Sequence, residues 1–334
     1  MFTAMGRAPP ALMQISITGA YNQCEVRSEP ENKVVMTNII LDYNTMWGQG
    51  LGDDASGLPA GWEITGDHRY LREAVALVFH IPSLRQLPSG KPKDQVWVAW
   101  SMEAEANYPQ LTEPSFMRWF DLAMTYRLDS DIPVPYNCFY GAPTDFIEAL
   151  YRPAKRKHPE RLAVLLVSSP HNKSGRLDYA RELMRHLDVH SYGRQLSNRV
   201  FPRDEGRISK LEMLSGYHFT LAMENAIGED YVTEKFFDPL ICGSVPVYLG
   251  APNIGRFSPG EHCFVDVTDY PTPRTLADRL KELAADGNAY RAYFDWKTRP
   301  LRAEFLEWLE PMGVSPLQRL VEKIQEFRDA AGKC

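Results

Sequence analysis

Short apolar runs alternate along the chain with stretches of helical periodicity, and this pattern predicts the secondary structure. Six runs are predicted to form strands: residues 13–21, 73–81, 94–100, 161–169, 219–223 and 244–250. Continuous aliphatic runs of this length, bounded by turn residues, are typical of parallel strands that are buried on both faces of a sheet. Strands that alternate with helices favour the α/β class.

Two segments have the apolar spacing of amphipathic helices. After the run at 161–169, a turn rich in Pro, Asn, Ser and Gly precedes a helix whose apolar face contains Leu177, Ala180, Leu183, Met184 and Leu187. Near the C-terminus, a second helical face contains Leu317, Leu320, Val321, Ile324 and Phe327. The polar face of this last helix mixes acidic and basic residues, so we expect it to pack on the protein's own core rather than on a membrane.

The chain length indicates about two domains at ~150 residues each. Residues 151–161 (YRPAKRKHPER) carry two prolines and a basic run without periodicity. This composition predicts a linker, and the alternative is a surface loop within one domain. We therefore divide the chain into domains at 1–155 and 156–300, followed by a helical segment at 301–334.

Charge and cysteine content restrict the function classes. With 37 Lys and Arg against 43 Asp and Glu, the net charge is −6, which argues against a nucleic-acid partner. The five cysteines are widely spaced, which argues against a disulfide framework and favours a reducing compartment. The sequence contains no apolar run of about 18 residues, so we predict no transmembrane segment. We predict a cytoplasmic protein, with peripheral attachment to a membrane as an alternative, and a Golgi protein only if an N-terminal anchor has been removed.

Polar residues concentrate directly after the predicted strand at 219–223. They are Glu224, Asn225, Tyr231, Glu234 and Lys235. In an open α/β sheet, ligands bind beyond the carboxyl ends of the strands, so this cluster predicts a binding site.

Two further sites are candidates for binding an anion or a metal. Arg176 lies at or just inside a predicted helix N-terminus after a strand, a position that favours anions; the alternative is an exposed surface arginine. Asp129 and Asp131 form an Asp-x-Asp pair that could hold a divalent cation on a diphosphate. Prolines follow this pair closely, and three residues are a weak signal for a metal site.

The region from Lys210 to Ile254 resembles the signature region of the α-1,3-fucosyltransferases, the family that uses GDP-fucose. The segments YHFTLAMEN, DYVTEK and SVPVYLG match its pattern in order and spacing, while Met223 and Ala226 replace a typical Phe and Ser. VSSPHNKSGRLDYARELMRHL and VWVAWSMEAEANYP resemble two further elements of the family. In the second of these, Glu103 is followed by Ala104 where Glu-Ser is usual.

The resemblance implies a GT-B-type α/β fold, in which two Rossmann-like domains face a central cleft. It implies an inverting transfer of L-fucose from GDP-β-L-fucose to a GlcNAc-containing glycan acceptor, with an α-1,3 linkage. It also turns the Asp-x-Asp pair into a family feature rather than a metal site, so no metal or other cofactor is expected in catalysis.

The donor requires cations for its diphosphate, an acceptor for its ribose hydroxyls and further hydrogen bonds. We expect Lys235 and Arg176 to stabilise the charge that develops on the leaving phosphate. The family resemblance implies that Glu234 binds the ribose diol. Asn225 and Tyr231 are expected to contact the nucleotide or the fucose.

The attacking hydroxyl requires a general base, and a carboxylate is suitable. Glu103 follows the predicted strand at 94–100 and is our candidate, with Glu105 as the alternative. Two other functions stay open at this point. One is a transferase of the same fold with another GDP-sugar, and the other is a catalytically inactive glycan- or nucleotide-binding protein.

Overall fold

Two parallel β-sheets organise the part of the chain that the computed structural model describes, residues 37–53, 57–201 and 205–332. Strands β1 to β6 form the first sheet, in the order β2-β1-β3-β4-β5-β6: Asn38–Asn44, Trp62–Thr65, Ala76–His80, Val96–Ser101, Leu122–Thr125 and Ile132–Pro133. Strands β7 to β11 form the second sheet, in the order β11-β10-β9-β7-β8: Ala163–Leu166, Val189–Tyr192, Phe219–Met223, Val245–Leu249 and Val265–Asp266.

Five of the six predicted strands are confirmed, and the sixth, at 13–21, lies outside the described residues. Strands β3, β4 and β9 are buried along their whole length, as expected for sheets that are covered on both faces. Side chains along β4 alternate between two cores. Val98 and Trp100 join one apolar cluster, and Trp97 and Ala99 join another on the opposite face.

Several strands of the structure were not predicted from the sequence. Strand β1 mixes Asn and Asp with its apolar residues, and β2, β5 and β8 have only four residues each. Such short or polar segments lack the long apolar run on which the prediction depended.

Ten α-helices occur in the described part of the chain: Pro114–Met117 (α1), Pro143–Leu150 (α2), Arg176–Leu183 (α3), Arg207–Ser215 (α4), Glu234–Cys242 (α5), Ile254–Phe257 (α6), Pro273–Ala285 (α7), Gly287–Ala292 (α8), Ala303–Leu309 (α9) and Pro316–Ala331 (α10). The helix predicted after β7 is confirmed as α3, although Leu187 lies beyond its last turn. No helix in these described ranges combines the length and the apolar character that crossing a membrane requires.

The C-terminal helices return to the first sheet. Apolar residues of α9 and α10 join the core cluster that contains β4 and β5. The guanidinium of Arg319 on α10 donates to the carbonyl of Pro133 on β6. The prediction for Phe327 is wrong, because its side chain is 38% exposed while the other four predicted residues of that face are buried.

Residues 151–162 connect the two sheets without a helix or strand. The boundaries drawn at 155 and 300 stay a prediction. The same apolar cluster contains β4 of the first sheet and Phe236 and Phe237 of α5, so the described chain from Thr37 onward packs as one unit.

The packing of α10 predicts a contrast between two of its residues. Leu320 is fully buried, so Leu320→Ala should lower the free energy of unfolding by about 2–5 kcal/mol, through lost contacts and the cavity left behind. Phe327→Ala, on the exposed edge of the same helix, should change it by about 0.5 kcal/mol. Urea denaturation of both variants measures the difference, and equal effects would contradict this packing.

Candidate functional site

A cavity of about 1040 Å³ opens where the strands of both sheets end. From the first sheet, the segment after β4 contributes Glu103 and Tyr108. From the second sheet, the segments after β7, β8 and β9 contribute Ser168, Gly193 and Asn225, and the first residues of α3 and α5 complete this wall. Because the strands are parallel, their carboxyl ends bring these distant segments together at one edge of each sheet.

All six residues predicted for the site line this cavity: Glu103, Arg176, Asn225, Tyr231, Glu234 and Lys235. The sequence analysis did not assign several other lining residues, including Trp47, Tyr108, His171, Arg194 and Lys210. Of these, Trp47 is 59% exposed and has a positive φ of 49°, a conformation that is unusual for a residue with a side chain.

A fully buried carboxylate holds the start of α5 in place. Glu224 follows β9, and its Oε1 accepts hydrogen bonds from the backbone N–H of Thr233 at 2.8 Å and from its hydroxyl at 2.9 Å. The same hydroxyl lies 2.9 Å from Oε2 of Glu224 and caps α5 by accepting from the N–H of Lys235. The loop between β9 and α5 is therefore closed at both ends by one carboxylate and one threonine.

Lys235 lies between two carboxylates. Its Nζ is 3.3 Å from Glu224 and 3.2 Å from Glu234. Burial alone would lower the pKa of Lys235, but the two carboxylates outweigh it and raise this pKa. Burial opposes the ionised form of Glu234, yet Lys235 and Lys210 lower its pKa to about 2. The site thus keeps a charged lysine and a charged Glu234 at neutral pH.

Arg176 is the first residue of α3, as predicted, but it is anchored more deeply than a surface arginine. Arg176 is only 3% exposed, and its guanidinium donates to the carbonyls of Met223 at 3.1 Å and Ser169 at 3.2 Å. Burial lowers its pKa, and Glu224 opposes this effect. The structure therefore fixes a positive charge at the wall of the cavity, between the ends of β7 and β9.

Glu103 extends from the first sheet into the same cavity. Its Oε2 accepts a hydrogen bond of 3.4 Å from the hydroxyl of Tyr231, which is itself buried. Burial raises the pKa of Glu103, and Lys235, Tyr231 and Asn225 partly offset this effect. A carboxylate whose pKa is raised toward neutrality is a better proton acceptor than an ordinary exposed glutamate.

A second contact joins the two walls beside Glu103. The side-chain amide of Asn107 donates to Oδ1 of Asn225 at 2.9 Å, although the two residues are 118 positions apart. Sequence analysis missed Asn107, and no local pattern marks it. Glu224 and Thr233, which hold the loop before α5, did have a signal, since both lie in the polar stretch after β9. That signal did not distinguish residues that hold the loop from residues that bind a ligand.

The alternative residues lie elsewhere. Glu105 accepts a hydrogen bond from the hydroxyl of Tyr126 and does not line the cavity. Asp129 pairs with Arg127 at 2.8 Å. Asp131 accepts from the backbone N–H of Ala123 at 2.8 Å.

The side chains of the Asp-x-Asp pair are thus bound to protein groups at one edge of the first sheet. Within residues 37–53, 57–201 and 205–332, no group of three or more His, Cys, Asp or Glu side chains is arranged to hold a metal ion.

The hydroxyl of Thr233 should stabilise the fold as well as the site. Thr233→Val keeps the shape but removes the donor to the buried Glu224, so the free energy of unfolding should fall by roughly 1–3 kcal/mol. Thr233→Ser keeps the hydroxyl and is the matched control. Urea denaturation compares the two, and a valine variant as stable as the serine variant would show that Glu224 does not depend on this bond.

Comparison with known proteins gives the family. Residues 155–331 match the profile described as glycosyltransferase family 10 (fucosyltransferase) C-term, and residues 36–137 match the profile described as fucosyltransferase, N-terminal. A human 4-galactosyl-N-acetylglucosaminide 3-alpha-L-fucosyltransferase is 32% identical over 91% of this chain and 82% of its own length. A chimpanzee 3-galactosyl-N-acetylglucosaminide 4-alpha-L-fucosyltransferase is 34% identical over 91% and 82%.

A solved structure confirms the predicted fold class. The crystal structure of an alpha1,3-fucosyltransferase with GDP has a TM-score of 0.59 to this chain. The match covers 90% of this chain and 94% of the other chain, at 18% sequence identity. This likeness supports the GT-B-type arrangement of two facing Rossmann-like parts. The profiles and relatives, which span most of the sequence, show that the chain belongs to glycosyltransferase family 10, the fucosyltransferases.

Proposed function

We propose that this protein transfers L-fucose from GDP-β-L-fucose to a hydroxyl of a GlcNAc-containing glycan, with inversion at the anomeric carbon. One observation carries the proposal: a single cavity presents the cations Arg176 and Lys235 from the second sheet and the carboxylate Glu103 from the first. A sugar transfer that expels a nucleoside diphosphate requires this division of charge, because the base and the leaving group act on opposite faces of the sugar.

The relatives support the acceptor class and the linkage. The human and chimpanzee relatives are both named for acceptors that contain a galactosyl-N-acetylglucosaminide. They differ in the hydroxyl that receives fucose. We favour the α-1,3 linkage, since a Drosophila relative, 33% identical over 62% of this chain and 49% of its own length, is also named an alpha-(1,3)-fucosyltransferase.

In the donor half of the reaction, the bond between the fucosyl C1 and the β-phosphate oxygen breaks, and negative charge grows on that oxygen. Lys235 and Arg176 would stabilise this charge. Neither has to move, because carboxylates hold the lysine and backbone carbonyls hold the arginine. Glu234 would accept hydrogen bonds from the ribose hydroxyls, while Asn225 and Tyr231 would contact the nucleotide or fucose.

In the acceptor half, Glu103 takes the proton from the attacking hydroxyl as its oxygen forms the new bond to C1. The elevated pKa of Glu103 suits this role. We assign the base to Glu103 rather than Glu105, since only Glu103 lines the cavity. The hydroxyl of Tyr231 orients the base by donating to it.

We further propose that catalysis needs no metal or other cofactor, because the two cations already supply positive charge beside the leaving group.

The cellular location also belongs to the proposal. A cytoplasmic protein, predicted from composition, is compatible with the thiols of Cys138, Cys242 and Cys263, which are free.

GDP binding tests the donor half directly. Calorimetric titration in EDTA should show binding of GDP and none of UDP. Lys235→Ala should weaken GDP binding at least tenfold and slow transfer by about 10²–10³-fold, the usual effect of losing one donor to developing charge. Lys281→Ala, on the exposed surface of α7, is the matched control. Equal binding of GDP and UDP, or full activity of Lys235→Ala, would refute the donor assignment.

The base assignment predicts both a rate loss and a pH profile. Glu103→Gln should reduce transfer by roughly 10²–10⁴-fold while GDP binding stays intact. In the unsubstituted protein, kcat/KM for the acceptor should fall as pH decreases through the pKa of Glu103, which lies above the ordinary 4.5, because protonation removes the base. Glu105→Gln should keep both the rate and this acidic limb. If it loses them instead, the assignment is wrong.

A further inference from the structure

A set of three hydrogen bonds fixes the residue that precedes Tyr231. Asp230 and Asn253 exchange two of them: the backbone N–H of Asp230 donates to Oδ1 of Asn253 at 3.0 Å, and the side-chain amide of Asn253 donates to Oδ1 of Asp230 at 2.8 Å. The other carboxylate oxygen of Asp230, Oδ2, accepts from the backbone N–H of Leu128 at 3.0 Å. We call these three residues the Asp230 clamp.

The Asp230 clamp joins three segments that are distant in the sequence. Leu128 follows β5 of the first sheet, Asp230 lies in the loop between β9 and α5, and Asn253 directly precedes α6. Asp230 is 6% exposed, and its contact with Leu128 spans 102 positions. The loop that carries Tyr231 is therefore tied both to the first sheet and to the segment after β10.

The backbone at Asp230 has an unusual conformation. Its φ is 62°, in the left-handed region that residues with a side chain rarely adopt. Such a conformation persists only where the surrounding contacts hold it. Directly after it, the N–H of Val232 donates to the carbonyl of Asp230 at 2.8 Å, so Tyr231 is the middle residue of a tight turn. The position of Asp230 thus sets the direction in which the side chain of Tyr231 leaves the backbone.

The contact between Tyr231 and Glu103 is sensitive to this direction. The ring of Tyr231 packs against that of Tyr126, with 4.9 Å between the ring centroids. Its hydroxyl donates to Oε2 of Glu103 at 3.4 Å, whereas O–H···O bonds typically span about 2.5–3.0 Å. A bond of this length is near the limit at which it still forms, so a displacement of about half an ångström decides whether it exists.

We infer that Asp230 is a positioning residue for the proposed base: with Asn253 and Leu128, it holds Tyr231 where its hydroxyl donates to Glu103. This inference rests on the proposed function, since it concerns the residue that we assign as the base. Asp230 does not line the reaction cavity, so it acts through Tyr231 rather than on a substrate.

The pH dependence of transfer distinguishes this role from a purely structural one and from an effect of charge. By donating to Glu103, the hydroxyl of Tyr231 lowers its pKa. Loss of that bond raises the pKa of Glu103, so the acidic fall of kcat/KM moves to higher pH. Loss of the negative charge of Asp230 alone would act in the opposite direction, because a nearby like charge raises the pKa of a carboxylate.

Substitutions at 230 and 253 leave the other titratable groups around both carboxylates chemically unchanged. The groups that act on Glu103 are Lys235, Arg176, His171 and the phenols of Tyr108, Tyr136 and Tyr231. Asp230 is faced by Arg127 and by the phenol of Tyr126.

The experiment measures kcat/KM against pH, with the methyl glycoside of galactosyl-β-1,4-GlcNAc as acceptor and saturating GDP-fucose. Asp230→Asn disrupts the exchange of hydrogen bonds, and Asn253→Ala disrupts it while the charge of Asp230 is kept. The double variant Asp230→Asn, Asn253→Asp interchanges the amide and the carboxylate, so both bonds can form again. Asp278→Asn, on the exposed face of α7, is the matched control. GDP titration shows whether each variant folds.

Asp230→Asn and Asn253→Ala should each move the acidic fall of kcat/KM to higher pH by about 0.5–1 unit, the effect of one hydrogen bond on a carboxylate. The double variant and Asp278→Asn should keep the original profile. Tyr231→Phe should show the same shift, and addition of Asp230→Asn to it should cause no further shift.

Three results would overturn the inference while the proposed function stands: an unchanged profile in both single variants, a shift to lower pH, or a further shift when Asp230→Asn is added to Tyr231→Phe. If Asp230→Asn no longer binds GDP, the profile of Asn253→Ala decides. Absence of transfer by the unsubstituted protein, with GDP binding intact, would overturn the proposed acceptor class together with the inference.

Discussion

The network of hydrogen bonds and ion pairs around Glu224 is the interaction on which the site depends. This carboxylate is wholly buried, and its energetic cost is met by Thr233 and by the ammonium of Lys235. Removal of one partner from a buried charge is typically far more destabilising than its removal at a surface. The same contacts fix the path of the chain from β9 into α5, so the position of the cation that faces the proposed diphosphate is set by the fold itself.

Residues of this wall also contact the segment that follows β4 of the first sheet. Tyr231 lies in the loop that Glu224 closes, and its hydroxyl donates to Glu103 across the cavity. Asn225, directly after Glu224, accepts a hydrogen bond from the side-chain amide of Asn107. The proposed base is therefore oriented by residues of the opposite wall. A disturbance of the loop between β9 and α5 would reach both halves of the reaction, even though only one half binds the donor.

The sequence predicted those features that depend on local pattern or on a contiguous motif. Buried strands such as β9 have long apolar runs, and the polar stretch from Glu224 to Lys235 predicted residues that line the cavity and matched a family. Features that depend on contacts between distant segments were not predictable. The bond between Asn107 and Asn225 and the return of α10 to the first sheet have no local signal, and Phe327 has the right helical spacing but lies where no neighbouring element covers it.

The charge balance of the cavity gives the donor a second role in the proposed reaction. In the unliganded site, Lys235 lowers the pKa of Glu103 and so partly offsets the effect of burial. In the proposed complex, the diphosphate adds negative charge beside Lys235 and Arg176, and this charge reduces the influence of these cations on Glu103. A nearby like charge raises the pKa of a carboxylate. In the proposed reaction, donor binding would thus make Glu103 a stronger base at the stage when the acceptor hydroxyl must lose its proton, which would favour attack on the sugar only once the donor is in place.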